Sequence, residues 1–319
     1  MNSNKNIALI IPYYGEFPFW FPLFLKSCQY SQLINWHIFT DLKHENQLPK
    51  NVFIHQLKKS ELSKLIFEKT GIKHSLPNPY KLCDFKPLYG VIFEDYLKGY
   101  NYWGHCDMDI IWGYIDVFLK RINYSNFDLI STRQRAISGH FNLYKNRADI
   151  NNFFKSVPNF EKAFMSDTYS GFDEGFYSYH LFEEIKQNKV DFKIFWPSRH
   201  CIDRWELSLN PNGWYWEKGN LKNKNELQGN YLHLIDWKKT MSPEIDFDIE
   251  SSEKFDITQY GFFKEIPFNI KLKSFFNSAG LRRIKLNLSK IKKYIIYDIL
   301  KKPKSIEKAN VIDGYKVLD

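Results

Sequence analysis

A chain of 319 residues that is 44% hydrophobic and 18% aromatic can bury a sizeable core, which excludes bulk disorder. Four scattered cysteines (Cys28, Cys83, Cys106, Cys201), with no C-x-x-C, argue against a disulfide framework or a zinc site and read as reduced thiols. The formal charge of +9 is concentrated, because Lys264 to Lys304 carries twelve Lys or Arg against two acids and leaves the remainder near neutral.

MNSNKN leads directly into a strand-like run without the apolar stretch of a signal peptide. No apolar run approaches a membrane span, so a cytoplasmic protein is expected, soluble or held at the inner face of the plasma membrane. Asn6–Pro12 (NIALIIP) is continuously apolar and closes on Pro-Tyr-Tyr-Gly, the pattern of a parallel strand buried on both faces. Phe17–Tyr30 predicts a helix after Pro22, and strands follow at Trp36–Thr40 and Val52–Leu57. Ser60–Thr70 (SELSKLIFEKT) starts on a capping serine and has a periodic apolar face, so it predicts a helix.

Strands alternating with helices imply an α/β fold with a doubly wound sheet, in which ligands bind at the carboxyl ends of strands. Tyr13, Thr40 and Asp41 fall at such ends, although Thr40 and Asp41 can equally be turn residues. Tyr80–Gly90 (YKLCDFKPLYG) places Asp84 and Lys86 before another helix-like run, Leu88–Leu97. The pair can meet a ribose and a diphosphate, or form an incidental ion pair on a surface turn.

Tyr100–Gly113 (YNYWGHCDMDIIWG) is the stretch around which the chain is organised. On an extended strand His105, Asp107 and Asp109 share one face. Two carboxylates on one side repel unless a cation lies between them, and such an oxygen-lined pocket suits Mg²⁺ or Mn²⁺ with substrate phosphates. A second D-x-D, Asp246 and Asp248, lies in the acidic stretch SPEIDFDIESSE and reads as a solvated face.

Farther on, Phe127–Thr132 and Ile137–Tyr144 predict strands, with Gly139 permitting close backbone approach. Ser170–Leu181 puts Asp173 and Glu174 at a helix start, where they either favour the helix dipole or act on an acceptor hydroxyl. Asn210–Gly219 suggests a hairpin. In NYLHLIDWKK, His233 ends an apolar strand and can complete a Mn²⁺ shell, while Lys238, five residues on, can meet a phosphate. From Phe268 to Lys304 apolar and basic residues alternate, with Ile284, Leu288, Ile291, Ile295 and Ile299 at helical spacing. A basic amphipathic helix there predicts binding to an anionic membrane surface through residues 264–304, or packing on the main domain with its lysines in water. Nucleic acid is not an expected partner, since the body has no basic face of its own.

Taken together, Pro12-Tyr13-Tyr14-Gly15, Tyr80–Pro87, Asp107-Met108-Asp109, Phe172-Asp173-Glu174 and His233 with Trp237-Lys238 resemble the nucleotide-sugar-dependent glycosyltransferases of the A-type fold (GT-A), over roughly residues 5–240. The likeness extends to bacterial enzymes of capsule or lipopolysaccharide assembly. It implies a Rossmann-like mixed sheet over residues 1–262 and a basic helical extension over 263–319. It implies Mn²⁺ or Mg²⁺ on Asp107 and Asp109, with His233 as third ligand and Lys238 on the donor phosphate. Here that last element reads His-Leu-Ile-Asp-Trp-Lys, without the family's glycine and proline. The implied substrates are a nucleotide-sugar donor, a UDP-sugar by preference, and a saccharide or lipid-linked saccharide acceptor. Hydrolysis or transfer of nucleotides by a metal-dependent phosphodiesterase or nucleotidyltransferase, and non-catalytic carbohydrate binding, are the alternatives.

Overall fold

The computed structural model describes residues 6–132, 136–196, 213–223 and 227–272, and the backbone of 309–312 and 315–318. Strand β1 (Ile7–Pro12) is followed by α1 (Phe21–Cys28), β2 (Ile34–Thr40), β3 (Val52–Gln56) and α2 (Lys59–Thr70). Two short helices, α3 (Leu82–Phe85) and α4 (Tyr89–Ile92), precede β4 (Tyr102–Cys106) and β5 (Ile110–Trp112). Helix α5 (Ile115–Arg121), β6 (Leu129–Ser131), β7 (Phe141–Lys145), α6 (Ala148–Asn151), α7 (Ser178–Lys186) and β8 (Ile194–Trp196) complete the first part. Strands β9 (Trp214–Glu217), β10 (Asn220–Asn223), β11 (Gln228–Gly229), β12 (Tyr231–His233), β13 (Lys254–Thr258) and β14 (Gly261–Phe263) follow, and β15 (Ala309–Ile312) and β16 (Tyr315–Leu318) close the chain.

The main sheet is mixed, in the order β15-β16-β8-β6-β7-β4-β1-β2-β3. Strands β4, β1, β2 and β3 run parallel, while β7 joins β4 antiparallel. The apolar run of β1 is explained by burial on both faces. Ala8 and Ile10 enter one core with Leu62 and Ile66 of α2, and Ile7, Leu9 and Ile11 enter another with Phe21 and Phe24 of α1. Gly104 is required at the β4–β7 seam: a Cβ there would lie 2.1 Å from the Asn142 carbonyl oxygen.

The chain steps from β1 outward to β2 and β3, then returns to the other side of β1 with β4. That reversal makes the carboxyl ends of β1 and β4 a topological switch point, where open α/β sheets form the crevice that binds ligands. Tyr13 follows β1 there and Asp107 follows β4.

A smaller antiparallel sheet, β11-β10-β9-β13-β14, contributes Trp214, Trp216, Phe255 and Phe262 to a third core that also takes in Leu23 of α1 and Ile111 of β5. The expected hairpin is β9–β10, closed by Lys218 and Gly219, both at positive φ as a two-residue turn requires.

Some local expectations give way. Leu88–Leu97 forms only the single turn α4, followed by turns, and the strand expected from Ile137 starts at Phe141. Beyond Lys304, β15 pairs with β16 and β16 pairs with β8, extending the main sheet. The stretch 273–308, with Ile284, Leu288, Ile291, Ile295 and Ile299 of the expected basic helix, lies outside the described residues, as does Cys201. Cys28, Cys83 and Cys106 are free thiols. Among the described residues no helix is long and apolar enough to cross a membrane.

Candidate functional site

Asp107, Met108 and Asp109 do not continue a strand. They form a bend between β4, in the main sheet, and β5, which among the described residues pairs only with β12. The expected common face of His105, Asp107 and Asp109 is therefore broken. His105 points into the core, fully buried with both ring nitrogens unpartnered, and its pKa is pushed well below normal by burial and then by Lys86 and His140.

Distant segments hold the bend in shape. The Asp107 amide donates to the His140 carbonyl (2.9 Å), Trp20 Nε1 donates to the Met108 carbonyl (3.1 Å), and the Leu234 amide donates to the Asp109 carbonyl (2.8 Å). The last contact extends the antiparallel pairing of β12 with β5, which sets His233 opposite Ile110 and thus beside Asp109. Behind His233 the ring of His140 stacks at 4.3 Å, itself fixed by Ser138 Oγ (2.8 Å) and the Tyr231 hydroxyl (2.7 Å).

One ligand atom from each of Asp107, Asp109 and His233 lies within 4.8 Å of the others, and among the described residues this is the one such group able to hold a metal ion. Two carboxylate oxygens and an imidazole nitrogen suit Mn²⁺ or Mg²⁺. Each aspartate also has a lysine. Lys86 Nζ is 2.7 Å from Asp107 Oδ1 and donates to the Gly139 carbonyl at 2.6 Å, while Lys238 Nζ is 2.6 Å from Asp109 Oδ2. Burial alone would raise the Asp109 carboxyl, but His233 at 3.4 Å and Lys238 overcome it and hold it well below the ordinary range. Burial likewise opposes the charge of Lys86, but Asp107, Cys83 and Asp173 together outweigh it and hold its pKa well above the ordinary value.

The second pair of acids enters from a different element. Phe172–Tyr177 is a wide helical turn that runs into α7, entered through Gly171 at positive φ. It brings Asp173 and Glu174 over Gly139, whose amide donates to Glu174 Oε1 at 2.8 Å. A Cβ on Gly139 would meet that oxygen at 2.8 Å and Asp173 Oδ2 at 3.2 Å, which is the close approach expected of this glycine. Burial lifts the Asp173 carboxyl to about 6, against the pull of Lys86 and with a further push from Glu174. Asp173 is 1% exposed and Glu174 is half-buried, so Glu174 is the acid that solutes can reach.

Residues 9–266 match a family of unknown function, DUF6625. The chain belongs to that family. No curated protein matches it.

Of the positions singled out in this DUF6625 member, Asp107, Asp109, His233, Lys86, Lys238, Asp173 and Glu174 gather at the crevice. Tyr13 joins them: its hydroxyl donates to the Glu16 carbonyl, and its charge environment is set by Lys238 and Asp109 after burial. Thr40 does not. It is fully buried, and its hydroxyl accepts the Leu42 amide to close the turn after β2, with Asp41 exposed beyond it. Asp84 is also no ribose ligand. It is 0% exposed, pairs with Lys81 at 2.9 Å and accepts the amides of Ser170 and Phe172, both at 2.8 Å. Asp246 and Asp248 are surface turn residues: Asp248 accepts the Glu250 and Ser251 amides and Asp246 the Lys264 amide. Tyr169 and His140 were not anticipated at the site, since no local pattern distinguishes them from packing aromatics, and Tyr80 was given no role of its own within Tyr80–Pro87. A separate surface recess of about 670 Å³, lined by Arg147, Lys155, Lys189 and Phe192 among others, contains none of these residues.

Proposed function

We propose that this protein is a metal-dependent glycosyltransferase of the A-type fold, moving a sugar from a nucleoside-diphosphate sugar, a UDP-sugar by preference, to a saccharide or lipid-linked saccharide acceptor. A role in surface polysaccharide synthesis is the setting that best suits those substrates. The observation that carries the reading is the convergence of Asp107, Asp109 and His233, with two lysines on the same carboxylates, at the carboxyl-end crevice beside β1.

Asp107, Asp109 and His233 would hold Mn²⁺ or Mg²⁺, which when bound offsets the charge left on a departing nucleoside diphosphate. Lys86 and Lys238 each sit within reach of that position and supply mobile or fixed ammonium charge to the diphosphate oxygens. Lys86 is buried and doubly held, so it acts as a fixed charge; Lys238 is 39% exposed at its side chain and can swing. On the acceptor side, Glu174 receives the hydroxyl proton if the configuration inverts, with Asp173 packed behind it.

Nucleotide release from UDP-sugars, measured with Mn²⁺ and with and without saccharide acceptors, tests the reading. Release that rises with acceptor and stops with chelator supports transfer. Release indifferent to acceptor identifies a hydrolase, and the absence of release and of Mn²⁺-dependent UDP binding favours a non-catalytic protein.

A further inference from the structure

Tyr80 is a large ring, 61% exposed, on a turn whose neighbouring residues are capped or buried. It follows Pro79 in a single helical turn whose start is capped by Asn78, with the Tyr80 amide donating to the Asn78 side chain at 3.0 Å. The next residue, Lys81, is fully buried and tied to Asp84, to the Ala163 carbonyl (2.5 Å) and to the Thr168 carbonyl (2.8 Å). An exposed aromatic on a flexible loop would lose entropy on binding anything, but this one is already ordered.

Its position relative to the acids is equally defined. The rings of Tyr80 and Tyr169 meet in a T-shaped contact with centroids 5.2 Å apart, and the Tyr169 hydroxyl donates to Asp173 Oδ1 at 2.8 Å. The Tyr80 phenol also lies within electrostatic reach of Asp107, Lys86 and Asp173, and it acts in turn on Lys238. The ring therefore stands on the side of the acid pair, one aromatic ring away from Asp173. A pyranose presents C–H groups on one face and hydroxyls around its rim, so it suits an aromatic face flanked by carboxylates, whereas a diphosphate does not.

Resting on the transfer reading, we propose that Tyr80, braced by Tyr169, is the stacking platform for the acceptor sugar, placing a hydroxyl of its rim toward Glu174. The competing occupant of the same ring is the donor's nucleobase.

Saturation-transfer NMR separates these, using the full chain with Mn²⁺, UDP and a panel of methyl glucoside, methyl galactoside and methyl N-acetylglucosaminide. At least one glycoside is expected to receive saturation on its ring protons. Tyr80→Ala should weaken that glycoside about tenfold, as expected for loss of one aromatic contact, while UDP binding is unchanged. Tyr80→Phe and Tyr80→Trp should keep the signal, and thermal melting of each variant checks the fold. Loss of UDP binding in Tyr80→Ala would overturn the proposal in favour of the nucleobase. Equal glycoside signals in wild type and Tyr80→Ala, or no glycoside signal while UDP binds, would overturn it outright. A Tyr80-dependent glycoside signal without any UDP binding would sustain the platform and sink the transfer reading; absence of both signals would sink the two together.

Discussion

Lys238 Nζ lies 2.6 Å from Asp109 Oδ2, matching the 2.7 Å contact between Lys86 Nζ and Asp107 Oδ1. Two carboxylates are thus balanced by two ammonium groups before any cation arrives. A divalent ion entering alone adds charge to a site that is already neutral, whereas an ion entering with a diphosphate does not. Calorimetry should find Mn²⁺ binding strengthened by UDP by about 10- to 100-fold, within the usual range of coupling between two ligands. Lys238→Met should bind Mn²⁺ alone more tightly than wild type. Equal Mn²⁺ affinity with and without UDP would remove the charge-balance account.

The two D-x-D triplets differ in what surrounds them, and that difference should appear in mutation. Asp109 is 5% exposed between His233 and Lys238, while Asp246 is exposed at a surface turn. Asp109→Asn should abolish Mn²⁺-dependent UDP binding with the protein still folded by circular dichroism. Asp246→Ala should leave binding within error and stability within about 0.5 kcal/mol, as for ordinary surface changes. Similar losses from both would withdraw the assignment.

Asp173 makes a prediction in pH. Its folded carboxyl titrates near 6, above the ordinary 3.8, so between those values the native state keeps a proton that the unfolded chain gives up. Stability contributed by that proton is present below about pH 4 and lost as pH rises through 6. Relative to Asp173→Asn, which cannot titrate there, the metal-free wild type should lose roughly 2–3 kcal/mol between pH 4 and 7. Urea melts across that range measure it. A constant difference would mean that Asp173 is not perturbed.

Lys81 and Asp84 are both fully buried and paired, and Asp84 also pins the turn leading to Asp173. Removing one partner strands the other charge, so Asp84→Ala should cost about 3–5 kcal/mol in a denaturant melt. A cost near zero would show that the pair is solvated.

Periodicity revealed the elements whose partners are local or whose burial is two-sided. The apolar run of β1 and the periodic α2 lie within a residue or so of their expected bounds, because hydrophobic pattern decides them. Ser60 is not the cap, however: it lies inside the helix, whose start is closed by the Lys58 amide donating to the Glu61 carboxylate. Asp107, Asp109 and His233 were legible as ligand types, and their meeting followed from the return of β12 onto β5. The bend at Met108 was not legible, since it is made by Trp20, His140 and Leu234, none of them neighbours in sequence. Asp84 was misread for the same reason: its amide partners lie 86 and 88 residues away. Tyr80 sat inside a stretch already singled out, but exposure, which separates it from the core aromatics, is not written in residue type.

The most direct measurement is anomalous diffraction from crystals grown with Mn²⁺ and UDP. The account predicts a manganese peak bonded to carboxylate oxygens of Asp107 and Asp109, with His233 Nε2 in reach and the diphosphate completing the shell. A peak elsewhere, or UDP bound with Lys238 still closed on Asp109 and no metal between the aspartates, would contradict it.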